Sequence, residues 1–264
     1  MPLTDYDRSR FESDGLAYDV YRRGSGPGVI VMAEIPGITP RVVDFADAVV
    51  AAGMTVAMPS LFGVDGRETS LGRSLAMFAR TCVRREFGAF ATNADRPITA
   101  WLNALARSLH RDVGGPGVGA VGMCFTGGFA LAMMVEPAVI APVLSQPSLP
   151  VGGRKAATDI GISAASLDLV RARIEAEGCA VRALRFTGDP LVPAERFEAL
   201  RDALGDAVHA VEIPSPDPAW DIGKRAHSVL TEEVDPDRPG HPATVALRET
   251  VDFLADRLGV ARAG

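Results

Sequence analysis

The chain has 264 residues, of which 47% are hydrophobic and 23% charged, with a formal net charge of −6. That balance is typical of a globular protein with a sizeable core, and its length is ordinary for one α/β domain built on a continuous sheet. The mild acidity and the lack of a long basic run argue against nucleic acid as a partner.

Residues 1–15 are polar and of mixed charge, unlike a secretory signal. The first buried strand is expected at Val29–Ala33, a short run in which every position is apolar. Thr39 and Pro40 then supply an N-cap and a proline at the first helical position. Val42, Phe45, Ala46 and Val49 follow at helical spacing, and Gly53 stands where a C-terminal cap belongs. Thr55–Met58 reads as the next strand, stopped by Pro59. Between 60 and 95 the periodicity is mixed, with one or two helices expected over Leu71–Phe90. A clearer helix runs from Pro97 to His110 (Trp101, Leu102, Leu105, Leu109) and leads through a Gly-Pro-Gly turn to a strand at Val118–Val121.

Further along, a helix is expected at Phe125–Val135, a strand at Val139–Leu144 and a helix at Ala164–Ala176. The strand Val181–Phe186, the helix Ala194–Leu204, the strand Val208–Ile213 and the helix Ala243–Leu258 complete the pattern. Strands alternating with helices imply a mostly parallel sheet covered on both faces. Right-handed crossovers then gather the strand C-termini along one edge, where ligands bind in such sheets. With no internal repeat or linker, residues 1–264 are expected to form a single domain.

Gly114–Val135 carries no charge and is long enough to span a bilayer, yet it contains seven glycines and a Cys-Phe-Thr-Gly-Gly break. A strand, a tight turn and a buried helix account for it better than one spanning helix, so no membrane partner is expected. Three cysteines, Cys82, Cys124 and Cys179, show neither C-x-x-C nor zinc-type spacing. A sparse, odd set with no signal peptide suggests reduced thiols and a cytoplasmic location.

The segment Val121 to Gly128 is the most informative. A strand runs into Gly122, then Met123, Cys124 and Phe125, then Thr126, Gly127 and Gly128 opening a helix. A nucleophile held in a strained strand-to-helix turn needs small residues two positions away on either side. Gly122 meets that demand; Thr126 stands where glycine is usual. A thiol at a helix N-terminus is stabilised as thiolate, and the Phe125 N–H would face a substrate oxyanion. Cys82 and Cys179 lack this setting and read as small buried hydrophobes.

In this arrangement the acid and then the histidine follow the nucleophile along the chain. Of four histidines, His110 precedes it, His209 lies within a strand and His241 opens a helix, leaving His227 in the loop after the last strand. Asp189, just past Val181–Phe186, is placed to accept a hydrogen bond from the imidazole; Asp217 and Asp221 compete but share the histidine's own loop. Glu34 lands on the same edge, directly after the first buried strand, and Ile35 beside it is the candidate for the second oxyanion N–H.

Four motifs in order, Glu34-Ile35-Pro36-Gly37, Gly122 through Gly128, Gly188-Asp189-Pro190-Leu191-Val192-Pro193 and His227-Ser228, make the chain resemble the dienelactone hydrolase family. The resemblance covers most of the chain. It implies an α/β-hydrolase fold and a Cys124-Asp189-His227 triad that opens small ester or lactone substrates with no metal or organic cofactor. It further implies that Glu34 contacts the resting thiol until substrate displaces it. For the arginines that bind a substrate carboxylate in that family, Arg84 and Arg85 are the best candidates, without a motif match. A non-catalytic binding protein of the same fold and an acyltransferase using the same cysteine remain as alternatives.

Overall fold

A computed structural model describes residues 2–68, 87, 95–148 and 157–261. Eight strands form one sheet: β1 Asp7–Ser13, β2 Leu16–Gly24, β3 Gly28–Met32, β4 Thr55–Pro59, β5 Val118–Met123, β6 Val139–Ser145, β7 Val181–Phe186 and β8 Val208–Ile213. Their order across the sheet is β1-β2-β4-β3-β5-β6-β7-β8. From β4 to β8 all pairs are parallel, whereas β2 runs antiparallel to both β1 and β4. This is the α/β-hydrolase fold, with a mostly parallel sheet.

The parallel strands form because their residues can be buried on both sides. Val29 and Val31 enter one apolar cluster and Ile30 and Met32 the other, so β3 has no solvent face. One face is covered by α1 (Pro40–Ala51) and α6 (Pro242–Arg257), the other by α2 (Pro97–Val113), α3 (Gly127–Ala132), α4 (Ala164–Glu177) and α5 (Ala194–Leu204). The Thr39 hydroxyl accepts the Val42 N–H at 3.3 Å, capping α1 as its position suggests. Strand ends are held level by pairings such as Met32 with Gly122, Met123 with Ser145 and Phe186 with Ile213. The chain leaves β3 toward β4 on one side and reaches β5 on the other, so the crevice between the ends of β3 and β5 is the switch point of the sheet.

Two elements differ from expectation. The β1–β2 hairpin is missing from the sequence reading because β1 is an edge strand whose residues are mostly exposed and polar. Asp14 and Gly15, with φ of 52° and 74°, make the tight turn that joins them. The hairpin is anchored by Trp101 of α2, which packs edge-on against Phe11 and Tyr18 at 5.4 and 5.1 Å. The single helix expected at Phe125–Val135 is instead a six-residue α-helix bracketed by 3-10 turns at Cys124–Thr126 and Met133–Val135. The apolar stretch that contains it is thus strand, turn and short helix. Among the described residues no helix is long and apolar enough to cross a membrane.

Candidate active site

Cys124 follows β5 directly and sits at φ 55°, a left-handed backbone that a non-glycine residue adopts only where its surroundings enforce it. The reason for glycine at 122 is steric. A Cβ there would stand 2.2 Å from the Thr126 carbonyl oxygen and 2.9 Å from the Gly127 Cα, backbone atoms that cannot swing aside. Gly122→Ala is therefore expected to cost about 3 kcal/mol, at the upper end for overpacking, and to lower ester turnover with it. Chemical denaturation measures this; an unchanged midpoint would mean that the turn opens freely.

Thr126 is accommodated differently. Its backbone is right-handed, with φ −83° and ψ −6°, and its fully buried side chain serves as a brace. The hydroxyl accepts the Met123 N–H at 2.8 Å and lies 2.9 Å from the Met32 carbonyl, tying the turn to the end of β3. A glycine could make neither contact.

The loops beyond the other strands bring the remaining groups together. His227 Nδ1 lies 2.6 Å from Asp189 Oδ2, and the second carboxylate oxygen accepts the Leu191 N–H at 2.9 Å. The Asp189 side chain is 1% exposed, so the pair is shielded from solvent. The imidazole Nε2 is buried and makes no hydrogen bond of its own. Burial alone pushes the imidazole pKa down, but the neighbouring Cys124 sulfur, and after it the hydrogen bond to Asp189, outweigh this and push it up to about 11. Such an imidazole is charged at neutral pH beside a sulfur that can carry the opposite charge.

Glu34, just past β3, is buried, and its carboxylate is fully engaged. Ser228 donates to Oε2 at 2.7 Å, Gln146 donates to the same oxygen at 3.3 Å and Thr231 donates to Oε1. A buried carboxylate needs such donors to offset the loss of hydration. Because Ser228 and Thr231 follow His227 closely on the same loop, the carboxylate fastens the histidine loop to the end of β3. The Cys124 sulfur has a different partner, Ser148 Oγ at 3.0 Å, on the loop after β6.

The sequence profile of the dienelactone hydrolase family matches residues 15–215. The chain belongs to this family. Among solved structures, a dienelactone hydrolase from Anabaena variabilis superposes with a TM-score of 0.62 at 18% identity, covering 96% of this chain and 98% of that one. A dienelactone hydrolase-like promiscuous phosphotriesterase from metagenomic libraries gives 0.60 at 16% identity, covering 96% and 98%. A cold-adapted esterase from an Arctic intertidal metagenomic library gives 0.54 at 16%, covering 95% and 92%. At these identities the likeness shows a shared fold. No curated protein matches the chain. Membership of the dienelactone hydrolase family makes the protein an ester-acting hydrolase with a small-molecule substrate.

Against the expectation drawn from the dienelactone hydrolase resemblance, Glu34 does not contact the resting thiol. Its oxygens are taken by Ser228, Thr231 and Gln146, and the sulfur turns to Ser148. The other histidines fall where the reading put them: His110 bonds the Gly115 carbonyl beyond its helix, His209 stands in β8 and His241 caps α6. Asp217 caps a 3-10 turn and Asp221 pairs with Arg238, so neither competes for His227. Arg84, Arg85 and Cys82 lie outside the described residues. Missed altogether were Gln146, Ser148 and Thr231, since polar residues in Pro-rich or acidic loops carry no periodic signal. Among the described residues no group of three or more His, Cys, Asp or Glu is placed to hold a metal ion.

Proposed function

We propose that the protein hydrolyses small carboxylic esters or lactones through a thioester on Cys124, with His227 as acid and base and Asp189 orienting it. The observation that carries this reading is the imidazole held by Asp189 at 2.6 Å with the Cys124 sulfur beside it, at the turn that follows β5. An imidazole beside the thiol can take its proton, and the thiolate so formed is the nucleophile.

The sulfur lone pair attacks the substrate carbonyl, and the N–H groups of Ile35 and Phe125 receive the oxyanion, each such donor being worth about 3 kcal/mol. Collapse of the intermediate breaks the carbonyl–oxygen bond, and the departing alkoxide takes the proton from His227 Nε2. Acylation also removes the sulfur's charge, the largest of the influences that raise the imidazole pKa. The imidazole pKa then falls, and the neutral ring can take a proton from water. The resulting hydroxide attacks the thioester, and the thiolate leaves, recharging the pair.

The test is to mix enzyme with p-nitrophenyl esters, quench within milliseconds and map the acyl group by peptide mass spectrometry. The acyl group is expected on the Cys124 peptide, accumulating as pH falls because the base of the second step is then protonated. Turnover with acyl groups only on other residues, or on none, would overturn the thioester.

A further inference from the structure

Building on the thioester reading, we infer that Ser148 is a catalytic residue: its hydroxyl donates to the Cys124 sulfur whenever that sulfur is anionic, in the resting pair and again as it leaves the acyl group. The Sγ–Oγ distance is 3.0 Å. A thiol can give or accept weakly in such a contact, but a thiolate can only accept, so once the sulfur is ionised the hydroxyl must be the donor.

Ser148 is held in this position by the main chain around it. Its own N–H donates to the Cys124 carbonyl at 3.0 Å, and Arg196 Nη1 donates to the carbonyl of the preceding Pro147 at 2.7 Å. Pro147 also packs so closely on the start of α3 that a Cβ on Gly127 would lie 2.7 Å from the Pro147 Cα. The loop is thereby pinned to the turn that carries the sulfur. Ser148 is 6% exposed, so little water competes for its hydroxyl. Glu34 cannot fill the place, because a carboxylate only accepts hydrogen bonds, here those of Ser228, Thr231 and Gln146.

The charged groups around the sulfur come from several elements of the fold. His227 faces it with Asp189 behind the ring, and the half-buried Glu233 lies beyond on the histidine loop. Glu34 approaches from the end of β3, and Arg196, with Asp159 near it, stands behind the Ser148 loop. None of these supplies a neutral donor to sulfur. A hydroxyl donor adds no charge and need not be deprotonated at any working pH, which suits a group that must act at both ends of the cycle.

The consequences for the two half-reactions differ. A donor to the thiolate raises the thiolate fraction but blunts its nucleophilicity, with a Brønsted slope of about 0.4–0.5, so acylation changes little once the thiol is ionised. In deacylation the same donor helps the sulfur to leave, because a lower-pKa thiol departs faster. Ser148 should therefore act on kcat more than on kcat/KM.

The experiment compares the parent with Ser148→Ala, Ser148→Gly and Ser148→Thr. It measures the pH dependence of Cys124 alkylation by iodoacetamide, resolved by peptide from Cys82 and Cys179, and steady-state kinetics with p-nitrophenyl acetate. In the alanine and glycine variants the apparent thiol pKa should rise by about one unit, as expected for loss of one charge-assisted hydrogen bond. In the same variants kcat should fall about tenfold with accumulated acyl-enzyme, and kcat/KM above the thiol pKa should change less than threefold. Threonine should restore the parental profile. A parental alkylation profile in whichever hydroxyl-free variant folds, or a threonine variant shifted as far as alanine, would overturn the role of Ser148. If Cys124 of the parent reacts no faster than Cys179, the thioester reading itself fails, which is a separate outcome.

Discussion

Cys124→Ala is expected to lower ester turnover at least about a thousandfold, because on the proposed thioester route both half-reactions pass through the sulfur. A residual rate over water should survive from the oxyanion donors and from binding. Stability should move little. Neither alanine nor cysteine is β-branched, so the φ of 55° costs both residues similarly, and the expected change is within about 1 kcal/mol. Activity and thermal midpoint measured together separate loss of the nucleophile from loss of the fold. An alanine variant that hydrolyses its best ester at the parental rate would remove the nucleophile assignment.

Asp189→Asn should be nearly as severe, about a thousand- to ten-thousandfold in kcat, for a reason of orientation. The Leu191 N–H donates to Asp189 Oδ1 at 2.9 Å, so the amide oxygen of asparagine would keep that contact and its NH2 group would face His227 Nδ1. The ring would then have to accept at Nδ1 and carry its proton on Nε2, the wrong tautomer for a base toward water. The substitution also removes one of the influences that hold the imidazole pKa near 11.

Linkage fixes the sign of the effect on stability. A histidine whose folded pKa lies above its unfolded value, about 6.5, stabilises the fold fully below that pH. The contribution is lost as pH rises through about 11. In the asparagine variant the loss should set in at lower pH, seen as a thermal midpoint that declines earlier on the alkaline side. Parallel midpoint curves for parent and variant would show that the pair contributes nothing to the folded state.

Much of the sheet was legible because its strands are locally determined. Val29–Met32 and Thr55–Met58 are short runs bounded by Gly or Pro and buried on both faces, and Val181–Phe186 is buried throughout although it carries Arg182 and Arg185. The turn at Cys124 was legible for a similar reason: Gly122 answers a clash with backbone four residues away, so the constraint is written within a few positions. The edge hairpin was harder. A strand paired on one side and exposed to water needs no apolar pattern, and only the Asp14-Gly15 turn marks it.

What the chain by itself determined was the order of strands and helices, the sharp turn beneath the cysteine and the succession of acid and histidine, each set by residues close in sequence. The tertiary structure alone decided which groups share the buried carboxylate and the sulfur. Glu34 finds its donors 194 and 197 positions later, and Cys124 finds Ser148 across two loops. Hydroxyl donors of this kind carry no periodicity and follow no spacing rule. Their partners are fixed by how parallel strands bring distant loop ends to one edge of the sheet.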